Sequence, residues 1–385
     1  MTDSPAKTGP LNGTRVIELA GIGPGPYAGQ LLADMGADVI VIDRPGQAIV
    51  GKGIDGRGKR SIVLDLKKPE AVEALLKLVA SADVLIEGLR PGVTERMGVG
   101  PEVCHAINPG LIYGRMTGWG QSGPWSQMAG HDINYIGMTG VLNAIGKEGQ
   151  PPVPPLNMVG DFGGGSMFLI TGILAALIER ARTGKGNIVD AAIVDGTNSL
   201  MSFIHGMAGL GSWKTAREAN LLDGAAPYYR CYTTSDARFM AVGCIEPQFF
   251  AAMMERLSIN AEAYGHQNDY SAWTKQHEIL EGAFASKTRD EWETIFAGTD
   301  ACVTPVLDYV EAAAHQANTE RQAILVDGQW LHPQIAPRLD SQPLATHFDI
   351  ATKGGDYAHI LTEAGFAEAD ISQLVAAGAV VAAQD

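Results

Sequence analysis

Short apolar runs and longer amphipathic stretches alternate along the N-terminal part of the chain. The short runs are rich in Val, Ile and Leu, which is typical of buried strands, and the longer stretches carry apolar residues at helical spacing. The predicted strands are 14–20, 37–43, 61–65, 82–87 and 110–116, and the predicted helices are 27–35 and 69–80. Strands that alternate with helices form parallel sheets covered on both faces, so this pattern predicts an α/β fold.

The pattern changes in the middle of the chain, after a loop rich in Gly and Pro at 146–155. We predict a helix over 166–181, a strand over 187–194, one or two helices over 198–222, a hairpin of 228–234 and 238–243 with its turn at 235–237, and a late strand over 301–306. Because these later elements do not continue the strand–helix alternation, we expect a second, smaller α+β domain.

Composition agrees with two domains and narrows the classes of function. The chain has 385 residues, 46% hydrophobic and 18% charged, which describes a packed globular protein too long for one ordinary core. Its formal net charge of −15 argues against a general nucleic-acid binder, although a local basic patch can still hold an anion. The four cysteines stand alone, without a Cys-x-x-Cys pair, and predict neither a metal site nor a disulfide framework.

The sequence also carries expectations about location. It begins without the apolar run of a signal peptide, its longest apolar stretch (167–178) is too short to span a bilayer, and it does not end in Ser-Lys-Leu. We therefore expect a soluble cytoplasmic protein without a nucleic-acid or membrane partner.

A glycine-rich turn at 21–26, Gly-Ile-Gly-Pro-Gly-Pro, follows the first predicted strand and resembles half of a dinucleotide-binding fingerprint. Asp43 ends the next strand, where an acid that binds ribose would lie. Pro26 occupies the position of the third glycine, so the match is incomplete. We favour a structural turn over a nicotinamide site.

One stretch, 44–68, is clearly basic in an otherwise acidic chain. Glycines are interleaved with its basic residues, which are Arg44, Lys52, Arg57, Lys59, Arg60, Lys67 and Lys68. A flexible basic loop beside a sheet edge can surround phosphate groups with side chains and backbone N–H groups. We therefore interpret this stretch as an anion site rather than as an ordinary solvated loop.

Two titratable residues lie in unusual surroundings. His131 follows the glycine-rich stretch 118–124, and Asp161 precedes three consecutive glycines and an apolar helix. Glycines allow close approach of a backbone or a ligand, and the start of a helix favours a carboxylate. Spacing alone nevertheless favours a helix N-cap for Asp161 and a hydrogen-bonded loop histidine for His131.

Taken together, six blocks of sequence resemble the type III CoA-transferase superfamily and, within it, the α-methylacyl-CoA racemase family. The resemblance covers essentially the whole chain and is densest at 16–26, 88–98, 115–124, 130–135, 160–166 and 245–249. It implies an interlocked homodimer in which each subunit has a Rossmann-like large domain and a small domain. The implied boundaries are 1–195 for the large domain, 196–224 for a helical linker, 225–314 for the small α+β domain, 315–331 for a second linker and 332–385 for a segment that returns to the large domain.

The resemblance also implies roles for individual residues. His131 and Asp161 match the catalytic pair, Glu246 matches a small-domain glutamate that pairs with the histidine, and Asp132 matches the residue whose backbone N–H holds the enolate oxygen. Arg44, Arg90 and Tyr135 match residues that contact CoA. The choice of Arg57, Lys59 or Arg60 for the 3′-phosphate stays open.

The implied reaction is the racemisation of 2-methylacyl-CoA thioesters. The α-proton of a thioester is acidic because the carbanion delocalises into an enolate, and inversion calls for one base on each face. No metal or other cofactor is expected, since CoA is part of the substrate. Three alternatives remain: a CoA-transferase with Asp161 as nucleophile, which the histidine and Glu246 make less favoured, a nicotinamide-linked oxidoreductase, and a non-catalytic CoA-binding protein.

Overall fold

The computed structural model describes residues 8–46 and 56–383, and the chain divides into two compact units. The first unit contains the chain up to Thr139, Pro155–Met201 and the chain from Gln322 onward. The second unit contains Gly140–Pro154 and Ser202–Arg321.

The strands and helices follow in chain order. The strands are β1 Arg15–Leu19, β2 Asp38–Asp43, β3 Arg60–Leu64, β4 Val84–Glu87, β5 Ile112–Thr117, β6 Asn187–Ala192, β7 Tyr229–Thr233, β8 Phe239–Gly243, β9 Val303–Pro305, β10 Ile324–Asp327, β11 Trp330–Pro333 and β12 Val380–Val381. The α-helices are α1 Pro24–Asp34, α2 Pro69–Val79, α3 Val93–Arg96, α4 Pro101–Ile107, α5 Asp132–Met138, α6 Val141–Ala144, α7 Met167–Thr183, α8 Ile193–Leu200, α9 Ser202–Gly209, α10 Pro247–Arg256, α11 Ala261–Tyr264, α12 Trp273–Phe284, α13 Arg289–Phe296, α14 Tyr309–Ala314, α15 Gln316–Glu320, α16 Tyr357–Glu363 and α17 Glu368–Ala376.

The first unit is built on a seven-stranded sheet in the order β12-β3-β2-β1-β4-β5-β6. All neighbours are parallel except β12, which pairs antiparallel with β3 and so returns the end of the chain to this sheet. The predicted α/β class is confirmed. The five predicted N-terminal strands are also confirmed, with boundaries that differ by one or two residues.

Alternating residues of the central strands supply two cores. Val16, Val39, Val84 and Ile112 point to one face, with α1 and α7, and Ile17, Ile40, Leu85 and Tyr113 point to the other, with α2, α16 and α17. All eight side chains are fully buried. Burial on both faces explains why the strands have nearly continuous apolar sequences.

The helix predicted from residue 166 begins earlier than the sequence suggested. A π-helical segment, Met158–Ser166, runs directly into α7. The strand predicted to 194 ends at Ala192, because α8 begins at Ile193, and the helices predicted to 222 end with α9 at Gly209. The three glycines at 163–165 belong to the π-helical segment rather than to a loop before the helix.

Together the π-helical segment and α7 form a continuous helix of 26 residues, Met158–Thr183, long and apolar enough to suit a membrane span by composition alone. Leu169 and Ile173 of this helix are fully buried and pack against Gly114 of β5. Such packing is typical of a core helix in an α/β unit, and one helix of this kind is weak evidence for a membrane span.

The second unit contains the three-stranded antiparallel sheet β7-β8-β9. The predicted hairpin is confirmed: β7 pairs with β8, and Thr234 donates its N–H to the carbonyl oxygen of Arg238 across the turn. Its core is aromatic, with the rings of Tyr232 and Phe284 stacked at 5.0 Å. Gly140–Pro154 clusters with this unit because Arg217 donates to carbonyl oxygens of that stretch, including those of Asn143 and Lys147, each at 3.0 Å.

Candidate active site

Several candidate residues follow the carboxyl ends of parallel strands in the first unit. Arg44 follows β2 and Arg90 follows β4, while the glycine-rich turn follows β1 and Gly118 follows β5. In open α/β sheets, ligands bind outside this edge, at the point where the strand order reverses. Here the order reverses between β1 and β4, so these residues surround the expected ligand position.

His131 and Asp132 lie at the start of α5. His131 is the exposed N-cap residue, and the side chain of Asn134 fixes its backbone by accepting the His131 N–H at 3.0 Å. Asp132 is the first residue of the helix, where backbone N–H groups have no partner within the helix. In the described part of the chain, no group accepts the N–H of Asp132. This donor is therefore available to a ligand.

Asp161 lies in the first turn of the π-helical segment, so it is neither an N-cap nor a residue ahead of the helix. Its backbone N–H donates to Oδ2 of Asp132 at 2.7 Å. Its carboxylate lies against the turn after β1, since a Cβ built on Gly23 would be 3.1 Å from Asp161 Oδ2. His131, Asp132 and Asp161 are thus connected through one hydrogen bond and one peptide bond.

The environment of Asp161 raises its pKa. Burial is the main cause and the negative charge of Asp132 adds to it, whereas a hydrogen bond with Asn157 and the charge of His131 act in the opposite direction. Burial and the charge of Asp132 therefore outweigh Asn157 and His131, so the ionised form of Asp161 is disfavoured relative to that of an exposed aspartate.

The three glycines beside Asp161 let two helices approach closely. A Cβ on Gly164 would lie 2.3 Å from Oγ1 of Thr197, and a Cβ on Gly196 would lie 1.9 Å from the carbonyl oxygen of Gly164. The close approach that these glycines allow is that of α8 rather than of a ligand. Ser166 anchors the same segment by donating its hydroxyl to the carbonyl oxygen of Pro24 at 2.7 Å.

Tyr135 and Arg90 lie close to this group. The Tyr135 hydroxyl donates to the carbonyl oxygen of Gly130 at 2.5 Å, and its ring packs edge-on against Trp119 at 4.8 Å. Burial raises the pKa of Tyr135, the charge of Asp161 raises it further, and the charge of Arg90 opposes both. Arg90 is exposed and forms no salt bridge with a described residue. It is therefore free to bind an anion.

Glu246 lies in the second unit as the exposed N-cap of α10. It is close to Cys302, whose thiol pKa is raised first by burial and then by the Glu246 charge. A cavity of about 1030 Å³ opens along β7, β8 and β9 in this unit, and Cys302 is among its lining residues. The cavity does not include His131 or Asp161.

The structure corrects the phosphate role considered for Arg57 and Lys59. Arg57 is 2% exposed, and its guanidinium donates to both carboxylate oxygens of Asp34 and to the carbonyl oxygen of Pro333 and lies over the ring of Phe348. Lys59 is buried as well, and its Nζ donates to Glu18 Oε2 and to the carbonyl oxygen of Pro26, each at 2.8 Å. Neither cation can reach a phosphate in solvent.

Arg60 is also engaged, since it pairs with Asp38 and Glu363. Of the three residues considered for the 3′-phosphate, none remains a good candidate. Arg44 is exposed and forms no salt bridge with a described residue, which leaves it available to a nucleotide. Lys52 lies outside the described residues.

The geometry of the turn argues against the nicotinamide alternative. Asp43 already accepts a hydrogen bond from the Ser61 hydroxyl at 2.6 Å. Pro24 and Pro26 occupy the first turn of α1 and lack the N–H groups that would hold a pyrophosphate. Among the described residues, no group of three or more His, Cys, Asp or Glu side chains could hold a metal ion.

Two features of the site could not be found by sequence reasoning. One is the carboxylate of Asp132, which binds the backbone of Asp161 from 29 residues away. The other is the ion-pair group in which the buried Arg115 of β5 binds the buried Glu87 of β4 at 2.9 Å and the exposed Glu95 at 2.8 Å. Each of these pairs is distant in sequence and carries no local motif.

Comparison with known proteins finds a protein family, relatives and a solved structure that resemble this chain. A model described as CoA-transferase family III matches residues 11–349. The α-methylacyl-CoA racemases of Mus musculus and Homo sapiens are 45% and 43% identical to this chain over 94% of its length and 96% of theirs. A CAIB/BAIF family protein from Brucella suis has a similar solved structure, with a TM-score of 0.80 and 25% identity over 93% of this chain and all of that one.

Proposed function

Since the chain belongs to CoA-transferase family III, we propose that it interconverts the two epimers of 2-methylacyl-CoA thioesters. The observation that carries this proposal is the position of Asp132 between the two proposed bases. This residue follows His131 directly, binds the backbone of Asp161 at 2.7 Å and keeps its own N–H unoccupied among the described residues. The two proposed bases and the proposed donor for the oxyanion are therefore linked to one another through Asp132. The identity to the mouse and human racemases supports the same conclusion.

The proposed step moves one proton. One base removes the α-proton from one face of the thioester, the electrons delocalise onto the carbonyl oxygen, and the other base returns a proton on the opposite face. The N–H of Asp132 stabilises the enolate oxygen, because a fixed backbone donor needs no reorganisation during the reaction. We assign removal from the S epimer to His131 and removal from the R epimer to Asp161.

Asp161 suits the role of base because its pKa is raised by burial and by Asp132. A carboxylate with a raised pKa accepts a carbon-bound proton more readily than an ordinary exposed one. The proposed reaction needs no metal, flavin or nicotinamide, since the two bases and the N–H carry every proton and charge. CoA enters and leaves as part of the substrate, held by Arg44, Arg90 and Tyr135.

We propose that the functional unit is an interlocked homodimer in which Glu246 of one subunit pairs with His131 of the other. Exposed apolar surface supports this proposal. The helix α9 reads Ser-Phe-Ile-His-Gly-Met-Ala-Gly, yet none of its residues is buried. Its Phe203 is 59% exposed, and Leu210, which follows the helix, is 80% exposed. Surfaces of this kind mark protein contacts. We expect the dimer to work in the cytoplasm without nucleic-acid or membrane partners.

A mixing experiment tests the shared site. His131→Gln and Glu246→Gln subunits, co-expressed, should form mixed dimers that contain one intact site and one doubly substituted site. Random assortment should restore about a quarter of the wild-type activity, whereas neither variant alone should reach that value. No gain on co-expression, or an active monomer by light scattering, contradicts the shared site.

Deuterium exchange tests the reaction itself. A chiral 2-methylacyl-CoA incubated with the protein in heavy water should lose configuration while gaining deuterium at the α-carbon, followed by NMR. Asp161→Asn and His131→Gln should each abolish inversion, because each direction needs both bases. Each should retain exchange on one epimer, with configuration kept, through the surviving base.

The control is Asp356→Asn, since Asp356 also accepts a backbone N–H, that of Ser61 at 2.9 Å, but lies outside the site. Its inversion rate should equal that of the wild type. CoA transfer to a free acid acceptor, with no exchange at the α-carbon, would contradict the proposal and support the transferase alternative with Asp161 as nucleophile. Full protection of the α-hydrogen without transfer would indicate a binding protein.

A further inference from the structure

We propose that Asp132 is a positioning residue. Its carboxylate holds Asp161 beside the enolate site and makes Asp161 a stronger base. This inference deepens the proposed function and rests on it. It concerns the side chain of Asp132, whereas the proposed role in enolate stabilisation belongs to the backbone N–H of the same residue.

Packing fixes the contact between Asp132 and the Asp161 backbone. Asp132 is 7% exposed, and its Oδ2 accepts the Asp161 N–H at 2.7 Å. Gly160 lies directly against it, since a Cβ there would be 2.4 Å from Asp132 Oδ2 and 2.9 Å from Ile136. Only glycine fits between α5 and the π-helical segment at this point, so the carboxylate and the backbone of Asp161 are held together.

The other oxygen of the same carboxylate differs from Oδ2 in its hydrogen bonding. Oδ1 of Asp132 is buried and has no hydrogen-bond partner in the described part of the chain. A buried carboxylate that served only the fold would be expected to have both oxygens bonded, because an unpaired buried charge is costly. The cost of burying the Asp132 charge is explained if that charge acts on a neighbouring titratable group.

That neighbour is Asp161, whose pKa is raised by burial and then by Asp132. The other titratable groups that interact with Asp161 are His131, which lowers its pKa, and Tyr135, whose own pKa Asp161 raises. Arg90 acts on Tyr135 in the opposite sense. Asp132 is thus the negative charge that opposes ionisation of Asp161.

Two substitutions separate the hydrogen bond from the charge. Asp132→Asn keeps an acceptor oxygen for the Asp161 N–H but removes the charge, so the pKa of Asp161 should fall. Asp132→Ala removes both. The control Asp356→Asn makes the same chemical change at another carboxylate that accepts a backbone N–H.

The first measurement does not depend on activity. Protein labelled with ¹³C at the aspartate carboxyl groups is titrated by NMR, and the Asp161 signal is identified by its loss in Asp161→Asn. In Asp132→Asn the Asp161 transition should move to lower pH, and in Asp356→Asn it should not. An unmoved transition in Asp132→Asn overturns the inference, whatever the protein catalyses.

The second measurement is exchange at each face as a function of pH. Asp132→Asn should shift the acid limb of Asp161-dependent exchange to lower pH while inversion persists. Asp132→Ala should slow that exchange by about tenfold to a hundredfold more than exchange through His131, because it frees the backbone of only one base. If exchange slowed equally on both faces and its pH profile stayed unchanged, Asp132 would have only a structural role. If the wild type shows no exchange at all, the proposed function fails, and the titration alone decides the effect of Asp132 on Asp161.

Discussion

We expect Arg57→Ala to lower the free energy of unfolding without a specific loss of CoA affinity. We expect Arg44→Ala to weaken CoA binding with little change in the free energy of unfolding. The two arginines belong to the same basic stretch and would be equivalent by composition. In the structure Arg57 is 2% exposed and bound to Asp34, whereas Arg44 is exposed. The pair therefore separates a structural cation from a proposed ligand cation.

The magnitude follows from burial. Removing one partner of a buried ion pair leaves an uncompensated charge and costs about 3–5 kcal/mol. Arg57→Ala also removes the contacts with Pro333 and Phe348 that tie residue 57 to the last part of the chain. In a chain of 385 residues, a loss of this size lowers the melting temperature by about 4–6 °C. Arg44→Ala should change stability by less than about 0.5 kcal/mol, as exposed substitutions do.

Urea unfolding followed by circular dichroism measures the stability of each variant, and initial rates at varied acyl-CoA concentration give KM and kcat. Arg44→Ala should raise KM with little change in kcat, because phosphate contacts are the same in the ground and transition states. The double variant Arg57→Ala with Asp34→Ala should lose less stability than the two single variants lose together, since it also removes the carboxylate that Arg57→Ala leaves without its cation. Wild-type stability of Arg57→Ala together with a raised KM would refute the structural role.

Three further predictions concern stability. Gly196→Ala should destabilise the fold by about 1–3 kcal/mol in urea, because its Cβ would meet the Gly164 carbonyl oxygen at 1.9 Å. Gly282→Ala should instead stabilise the fold by up to about 1 kcal/mol, because Gly282 is an exposed position of α12 where a Cβ would meet nothing within 4 Å. Lys59→Met should cost about 3–5 kcal/mol, measured in the same way, because it removes the buried cation that pairs with Glu18 at 2.8 Å. Asp161→Asn should raise the melting temperature at neutral pH, because a raised pKa means that the ionised form destabilises the fold; this gain should vanish as the pH falls through the pKa of Asp161.

The parallel sheet could be predicted because its signal is local. Strands buried on both faces are nearly continuous apolar runs, and residues such as Ile17 and Ile40 are fully buried as that pattern requires. The helix before Ser166 could not be predicted in the same way. Gly163, Gly164 and Gly165 have poor helix propensity, and only the close packing of α8 makes glycine the residue that fits there.

The basic stretch shows the limit of counting charges. Composition finds Arg57 and Lys59 next to glycines but does not reveal that Asp34 and Glu18, 23 and 41 residues earlier, neutralise them. A buried cation and a ligand-binding cation have the same sequence signature, since both are basic residues near a strand. Burial alone distinguishes them.

The position of the site follows from the topology more directly than its chemistry does. Parallel strands bring whatever follows them to one edge, so the turn after β1 and Arg90 after β4 meet there by construction. The chemistry depends on the contact between α5 and the π-helical segment, where Asp132 binds the Asp161 backbone. A carboxylate placed there for its charge and a glycine at residue 160 that admits it are two parts of one arrangement. A substitution of Asp132 or Gly160 should therefore change the chemistry of Asp161 while leaving the parallel sheet intact.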